Sequence, residues 1–349
     1  MLKNTPLILL TLLIPLLSSF RPTEQTEPTT PVSNQANNTL DAHPKSRSHF
    51  FVQAEALFWK PAIDQLNYVI EQKNPDHPSS KYDGSIKSAT FEWNFGYRLS
   101  TGYTLPHDRW DISAMWTSIS NNGSKKERAA HNLRLLQTEG YQNTITNNIA
   151  DVKGRWSIDL KQIELALGKE FHPSPWIKIR PMGGLRSAWI DQDSDVDFFL
   201  NTNNEIAREL ADWDFWGLGF VAGASVDWIL AKNWSLFSFA DYSILWGFYA
   251  VDQHQTRLAS AHYRFQKSMR CARGVYDLGL GIKWNYLFSN NRWKLSFKAS
   301  YEYHLYPEQN QFLYNTNFVS ASQTSSGAFL NNGGDLIYQG IALSGQFDF

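Results

Sequence analysis

The ionisable residues of this chain recur at every second position, each flanked by apolar neighbours. From Trp293 to Leu305, the residues Trp293, Leu295, Phe297, Ala299, Tyr301, Tyr303 and Leu305 alternate with Lys294, Ser296, Lys298, Ser300, Glu302 and His304. From Phe91 to Leu99, the residues Phe91, Trp93, Phe95, Tyr97 and Leu99 alternate with Glu92, Asn94, Gly96 and Arg98. Residues two apart on an extended chain point the same way, so these segments carry one apolar and one polar face. The polar faces supply Arg98, Lys178, Arg180, Arg186, Glu92, Glu164, Asp277, Lys283, Lys298 and Glu302 as groups expected to line an interior. Glu55, Asp111, Asp159, Lys161, Asp227 and Asp241 are read the same way. A ring of such charges inside a water-filled passage sets the preference among passing ions. Arg180 and Arg186, on a segment interrupted by Pro181, Gly183 and Gly184, are the candidates for a constriction. The alternative is that they pair with Glu164 or another inward carboxylate and fill the interior.

Other groupings carry less chemistry. Ser300, Glu302 and His304 share one face, but no second element supplies an oxyanion hole or a nucleophile elbow, so no catalytic residue is expected. Asp191, Asp193, Asp195 and Asp197 alternate as calcium ligands do, yet Val196 and Thr202 stand where a calcium loop needs glycine and glutamate. They are read as a solvated acidic loop, and no metal or cofactor is expected. Arg257, Arg264, Lys267, Arg270 and Arg273 form a basic loop suited to that acidic loop or to lipopolysaccharide phosphates. Cys271 is the single cysteine, which excludes an internal disulfide framework, and it is expected to be an idle thiol.

The elements that would position these groups are strands. Ten segments have the period-two pattern: 49–59, 89–101, 109–120, 154–168, 176–190, 214–230, 234–247, 272–287, 292–306 and 335–349. Their connections alternate between long and short, as in outer-membrane barrels with long extracellular loops and short periplasmic turns. The fold expected is all-β: an antiparallel transmembrane β-barrel of about ten strands, within a range of 10 to 14, with both termini periplasmic. In the fourth segment the apolar phase moves from Trp156, Ile158 and Leu160 to Ile163, Leu165 and Leu167, which implies a β-bulge near Lys161 and Gln162. Trp110, Trp176, Trp228, Trp234, Trp284 and Trp293 mark one aromatic girdle, and Trp59, Trp116, Trp156, Trp189 and Trp246 the other.

Residues 1–19 read as a secretory signal peptide, with Lys3, an apolar run from Pro6 to Leu17, then Ser18 and Ser19. Residues 20–48 are rich in Pro, Thr, Gln and Asn and bury almost nothing, so they read as a flexible periplasmic leader. The barrel takes 49–349. A formal net charge of -1 argues against a nucleic-acid partner. The expected partners are outer-membrane lipid, lipopolysaccharide and the barrel-assembly machinery, and a homo-oligomer is open. The chain closes on an alternating strand ending Phe347, Asp348, Phe349, which resembles the terminal strand read by that machinery.

Four segments carry a resemblance to a family: Phe51 to Lys60, Phe91 to Tyr103, Ile177 to Gln192 and Trp216 to Ala222 are similar to the major-outer-membrane-protein-like (MOMP-like) porins of chlamydiae and legionellae. The resemblance implies a pore-forming barrel at the cell surface. Chlamydial members are cysteine-rich and disulfide-linked, and a chain with Cys271 alone does not inherit that linkage. The expected function is passive diffusion of small polar solutes or ions, without enzymatic activity. The competing expectation is a surface adhesin or structural barrel with a closed lumen and ligand-binding loops.

Overall fold

A computed structural model describes residues 49–64, 66–73, 84–105, 110–128, 133–137, 149–200, 206–257, 261–288, 293–316 and 328–349. The signal-peptide and leader segments expected at 1–19 and 20–48 lie outside the described residues. Ten strands form the wall: β1 (His49–Ile63), β4 (Asn94–Thr104), β5 (Trp110–Arg128), β7 (Ile149–Lys169), β9 (Ile177–Leu200), β10 (Ile206–Ala231), β11 (Trp234–Arg257), β12 (Ala261–Phe288), β13 (Trp293–Thr316) and β14 (Ala328–Asp348). Each pairs antiparallel with the next, and β14 returns to β1 from Phe51↔Asp348 to Ile63↔Leu336, so the sheet closes. Closure leaves the wall strands no open edge. The short strands β2 (Asn67–Lys73), β3 (Gly84–Ser88) and β6 (Leu133–Gln137) form an extension that meets the wall at Leu135↔Ile149. The last, β8 (Phe171–Ser174), lies against the start of β9.

All ten segments read from periodicity are wall strands, but the wall is taller than that periodicity suggested. Much of what was expected as long loops continues as strand. Asp191 to Asp197 lie within β9, and Arg264, Lys267, Arg270 and Arg273 lie within β12. The reason is visible in which face is apolar. On β10, Trp216, Leu218, Phe220, Ala222, Ala224, Val226 and Trp228 share the outer surface, and Asp214 and Asp212 follow on that surface. At about 3.3 Å per residue and a tilt near 40°, the stretch from Trp216 to Trp228 covers roughly 30 Å, the thickness of a bilayer core. Above that belt the pattern inverts, with polar residues outside and Phe215, Trp213, Ala211 and Ala207 buried inside.

The same inversion replaces the bulge expected at Lys161 and Gln162. Pairing of β7 with β5 and with β9 runs through both residues without a register shift. Trp156, Ile158 and Leu160 point inward, and so do Gln162 and Glu164, while Ile163, Leu165 and Leu167 point outward. The apolar phase changes because the strand leaves the membrane: below, lipid selects apolar residues on the outside, and above, water selects them on the inside. Asp159 and Lys161, expected inward, therefore face outward. Trp59 and Trp156, expected in the outer girdle, are buried inside, whereas Trp116 and Trp246 stand exposed on the belt as expected. Glu92 precedes β4, is exposed, and does not reach the interior.

Candidate functional site: the lumen

Inside the membrane-height part of the wall lies a cavity of about 720 Å³ that extends to the short-turn end. Arg98, Lys178, Arg180, Arg186, Glu164, Asp277, Lys283, Lys298 and Glu302 line it; of the candidate residues, Glu92, Asp159 and Lys161 do not. Glu55, Asp111, Asp227 and Asp241 also contribute. Each comes from an inward position of its strand, and several are register partners across neighbouring strands, as Glu55↔Arg98, Glu164↔Arg186 and Asp227↔Lys178 are, so the alternation that coats the outside with apolar side chains also concentrates charge within.

Most of these charges are paired. A chain of contacts crosses the lumen beneath its upper end. Arg98 on β4 donates to Glu55 on β1 at 2.7 Å and to Glu302 on β13 at 3.0 Å. His304 stands between Glu302, at 3.3 Å from Nε2, and Asp277 on β12, at 2.7 Å from Nδ1. Arg186 on β9 continues from Asp277 to Glu164 on β7 at 2.8 Å and to Ser243 on β11 at 3.1 Å. Nearer the short turns, Arg180 holds Asp111, Lys283 holds Asp227 at 2.9 Å, and Lys294 holds Asp348 at 2.6 Å. Room for the Arg180 guanidinium comes from Gly168 on β7, where a Cβ would lie 2.6 Å from Cζ. Of the two expectations for Arg180 and Arg186, a constriction charge or the partner of an inward carboxylate, the contacts have the form of the second, because burial of an unpaired charge is far costlier than burial of a pair.

Ser300, Glu302 and His304 do meet, but not as a nucleophile and its base. The Ser300 hydroxyl donates to Glu302 at 3.1 Å, and both ring nitrogens of His304 are engaged by carboxylates. Cys271 is a free thiol on the inner face, packed against the buried cluster.

Above the ion chain the lumen is roofed. Trp59 lies on the His304 ring with centroids 4.3 Å apart and turns its ring face to the Arg98 guanidinium at 5.3 Å. Tyr306 donates to Gln162 at 3.2 Å. Over them pack Trp156, Ile158, Ile190, Trp213, Phe215 and Tyr338, all buried. Periodicity alone does not reveal this roof; the phase change at Leu160 is the trace of it in the sequence.

Outside the belt, carboxylates face one another across strands. Asp212 on β10 pairs in register with Asp193 on β9 and with Asp252 on β11, and Asp214 with Asp191. Partial burial, together with Asp193, Asp214 and Asp252, pushes the Asp212 carboxyl up to about 6. Asp252 goes the other way, to about 2, because the Arg264 guanidinium donates to it. A raised carboxyl favours folding while protonated, below its ordinary value near 3.8, and that stability is lost as pH rises through about 6. Asp212→Asn is therefore expected to raise the unfolding free energy of the refolded barrel, read from urea titration at pH 7.5, by at most about 1 kcal/mol because the group is largely exposed. The gain should fade below pH 4. An equal shift at pH 3.5 and 7.5 would count against the carboxylate repulsion.

The family model described as Legionella pneumophila major outer membrane protein precursor matches residues 42–348. No curated protein sequence matches the chain. Among solved structures, the outer membrane protease OmpT from Escherichia coli is similar, with a TM-score of 0.44 at 7% identity over 86% of this chain and 96% of that one. A major outer membrane protein from Thermus thermophilus gives 0.33 at 8% identity over 87% and 100%. The Pseudomonas putida toluene transporter TodX gives 0.31 at 11% identity over 89% and 91%.

Proposed function

The chain belongs to the Legionella pneumophila major outer membrane protein family, and from that premise we propose that its barrel is a channel through which small polar solutes or ions cross the outer membrane passively. The observation that carries the reading is the charged cavity itself. Side chains alone can fill the interior of a small barrel. Here about 720 Å³ stays open and is lined by ionisable groups, enough for some two dozen waters at about 30 Å³ each. In this reading the cavity is a vestibule facing the periplasm, and the apolar roof closes its outer end in the resting conformation. Hydrophobic constrictions of this kind gate by excluding water. Single-channel recording of the refolded protein in planar bilayers tests it. Stepwise ohmic openings are expected, and persistent silence at high protein doses would sink it. The roof also favours a second reading, a structural or adhesive barrel with a closed lumen, and that silence is what it predicts.

The orientation that fits puts both termini and the short turns in the periplasm and the tall hairpins outside. An epitope inserted at Gln323, between β13 and β14, should then be labelled on intact cells, and one at Asn290, between β12 and β13, should not. The opposite labelling would invert the assignment.

Assembly is read from the closing strand. Phe349 exchanges backbone hydrogen bonds with Phe50, at 2.9 and 3.0 Å, and its ring meets those of Phe50 and Phe347. These contacts join the last residue to the first wall strand at the rim where the assembly machinery would hold it. Deletion of Phe349 is expected to reduce the heat-modifiable barrel recovered from outer membranes severalfold. Unchanged abundance and gel mobility would remove Phe347 and Phe349 as an assembly signal.

A further inference from the structure

Within β13 the pairing with β14 slips by two residues, from Tyr306↔Leu336 to Asn310↔Gly334. Pro307, Glu308 and Gln309 thus stand opposite Asp335 alone. Two features of this bulge run against stability. Glu308 has φ of 52°, the one non-glycine residue in the left-handed region among the described residues. Gln309 is wholly buried, and neither atom of its amide has a hydrogen-bond partner. A strained backbone and an unsatisfied buried amide persist only where surroundings impose them.

What imposes them is local and sits at the rim of the bulge. The Asp335 carboxylate accepts from the Glu308 N–H at 2.8 Å, and the exposed Glu308 carboxylate meets Arg273 of β12 at 3.3 Å. On the lumen side, the residues after the bulge contact the wall on both sides of β13. Trp213 of β10 donates its indole N–H to the Gln311 carbonyl at 3.1 Å, and Asn310 donates to the Asp64 carbonyl beyond β1 at 3.0 Å. The segment therefore fills the lumen above Tyr306, against the apolar roof.

We propose that the Pro307–Gln309 bulge is the movable gate of the channel, sealing the roof while folded inward and opening it when β13 straightens. The proposal rests on the channel reading above. Straightening would return Glu308 to extended backbone and place the Gln309 amide in water, so both costs vanish in the open form. The inward form gains the Asp335 and Arg273 contacts and the packing of the roof. Two discrete arrangements with opposed costs are what a switch requires.

The test cuts the anchor and reads the motion and the conductance separately. In a Cys271→Ser background, Gln309→Cys is labelled in detergent with a trimethylammonium-ethyl methanethiosulfonate, with and without Asp335→Ala. A rise of tenfold or more in labelling rate is expected, together with a comparable rise in the frequency of openings in planar bilayers. Glu308→Val is the second variant, because a β-branched residue disfavours the left-handed region and should act in the same direction if Asp335→Ala does not fold. Labelling or opening frequency within twofold of the parent, in variants that retain heat-modifiable mobility, would overturn the gate. Raised labelling in barrels that remain silent would overturn the channel reading instead, leaving a bulge that moves but gates nothing.

Discussion

Replacement of Arg186 by glutamate should keep the barrel from reaching its heat-resistant folded form. Arg186 is 2% exposed and answers two carboxylates, Glu164 and Asp277, that no other guanidinium reaches among the described contacts. Removing one partner from a buried ionic group costs about 3 to 5 kcal/mol, and reversal adds a third buried negative charge to the two left behind. Arg180→Glu should be milder, since its side chain is 27% exposed and water screens the mismatch with Asp111. Recovery discriminates the cause. Arg186→Met combined with Glu164→Gln and Asp277→Asn removes the charges together, and folding should return. Heat-modifiable mobility and urea midpoints of the refolded variants decide the matter. A stable Arg186→Glu barrel with altered ion preference would instead make this arginine a constriction charge, the first of the two readings that periodicity allows.

That contrast shows what the sequence holds and what it leaves out. Strand positions and their inward faces were legible because lipid imposes a strict alternation on the outer surface. Trp216 to Trp228 on β10 and Trp293 to Leu305 on β13 state it directly. Partners were not legible. Arg98 and Glu302 are 204 positions apart, and only closure of β14 on β1 brings them to 3.0 Å. Wall height was also hidden. The stretch from Asp191 to Phe198 on β9 alternates too, but with its apolar residues inside, and a reader following the outer apolar face takes the polar outside for a loop. The pattern at Trp156, Ile158 and Leu160 is written alike by a bulge and by an inversion of the apolar face, and the unbroken register of β7 shows that it is the inversion. The true irregularity lies in β13, where Pro307, Glu308 and Gln309 carry no signature that separates an inward bulge from a loop.

Removing the two large indoles of the roof should convert it into a leak. Trp59 and Trp213 are buried to within 1% of their surfaces; one caps the ion chain over His304 and the other meets the bulge from β10, three strands along the wall from β13. Each Trp→Ala substitution in a packed interior costs about 3 to 5 kcal/mol and leaves space its neighbours fill only in part. In the double variant both spaces open within the buried cluster above the cavity, and the polar groups of Gln309, Asn310 and Gln311 are buried in the same part of the wall. If the barrel is the channel proposed, steady ohmic conductance is therefore expected in place of discrete openings, along with a lower unfolding temperature. Trp59→Leu with Trp213→Leu is the control: it preserves most of the apolar seal and should lose some stability without becoming leaky, because dewetting depends on apolar closure and not on the indole itself. A folded Ala–Ala variant that stays electrically silent would place the barrier elsewhere and favour a barrel closed along its whole length.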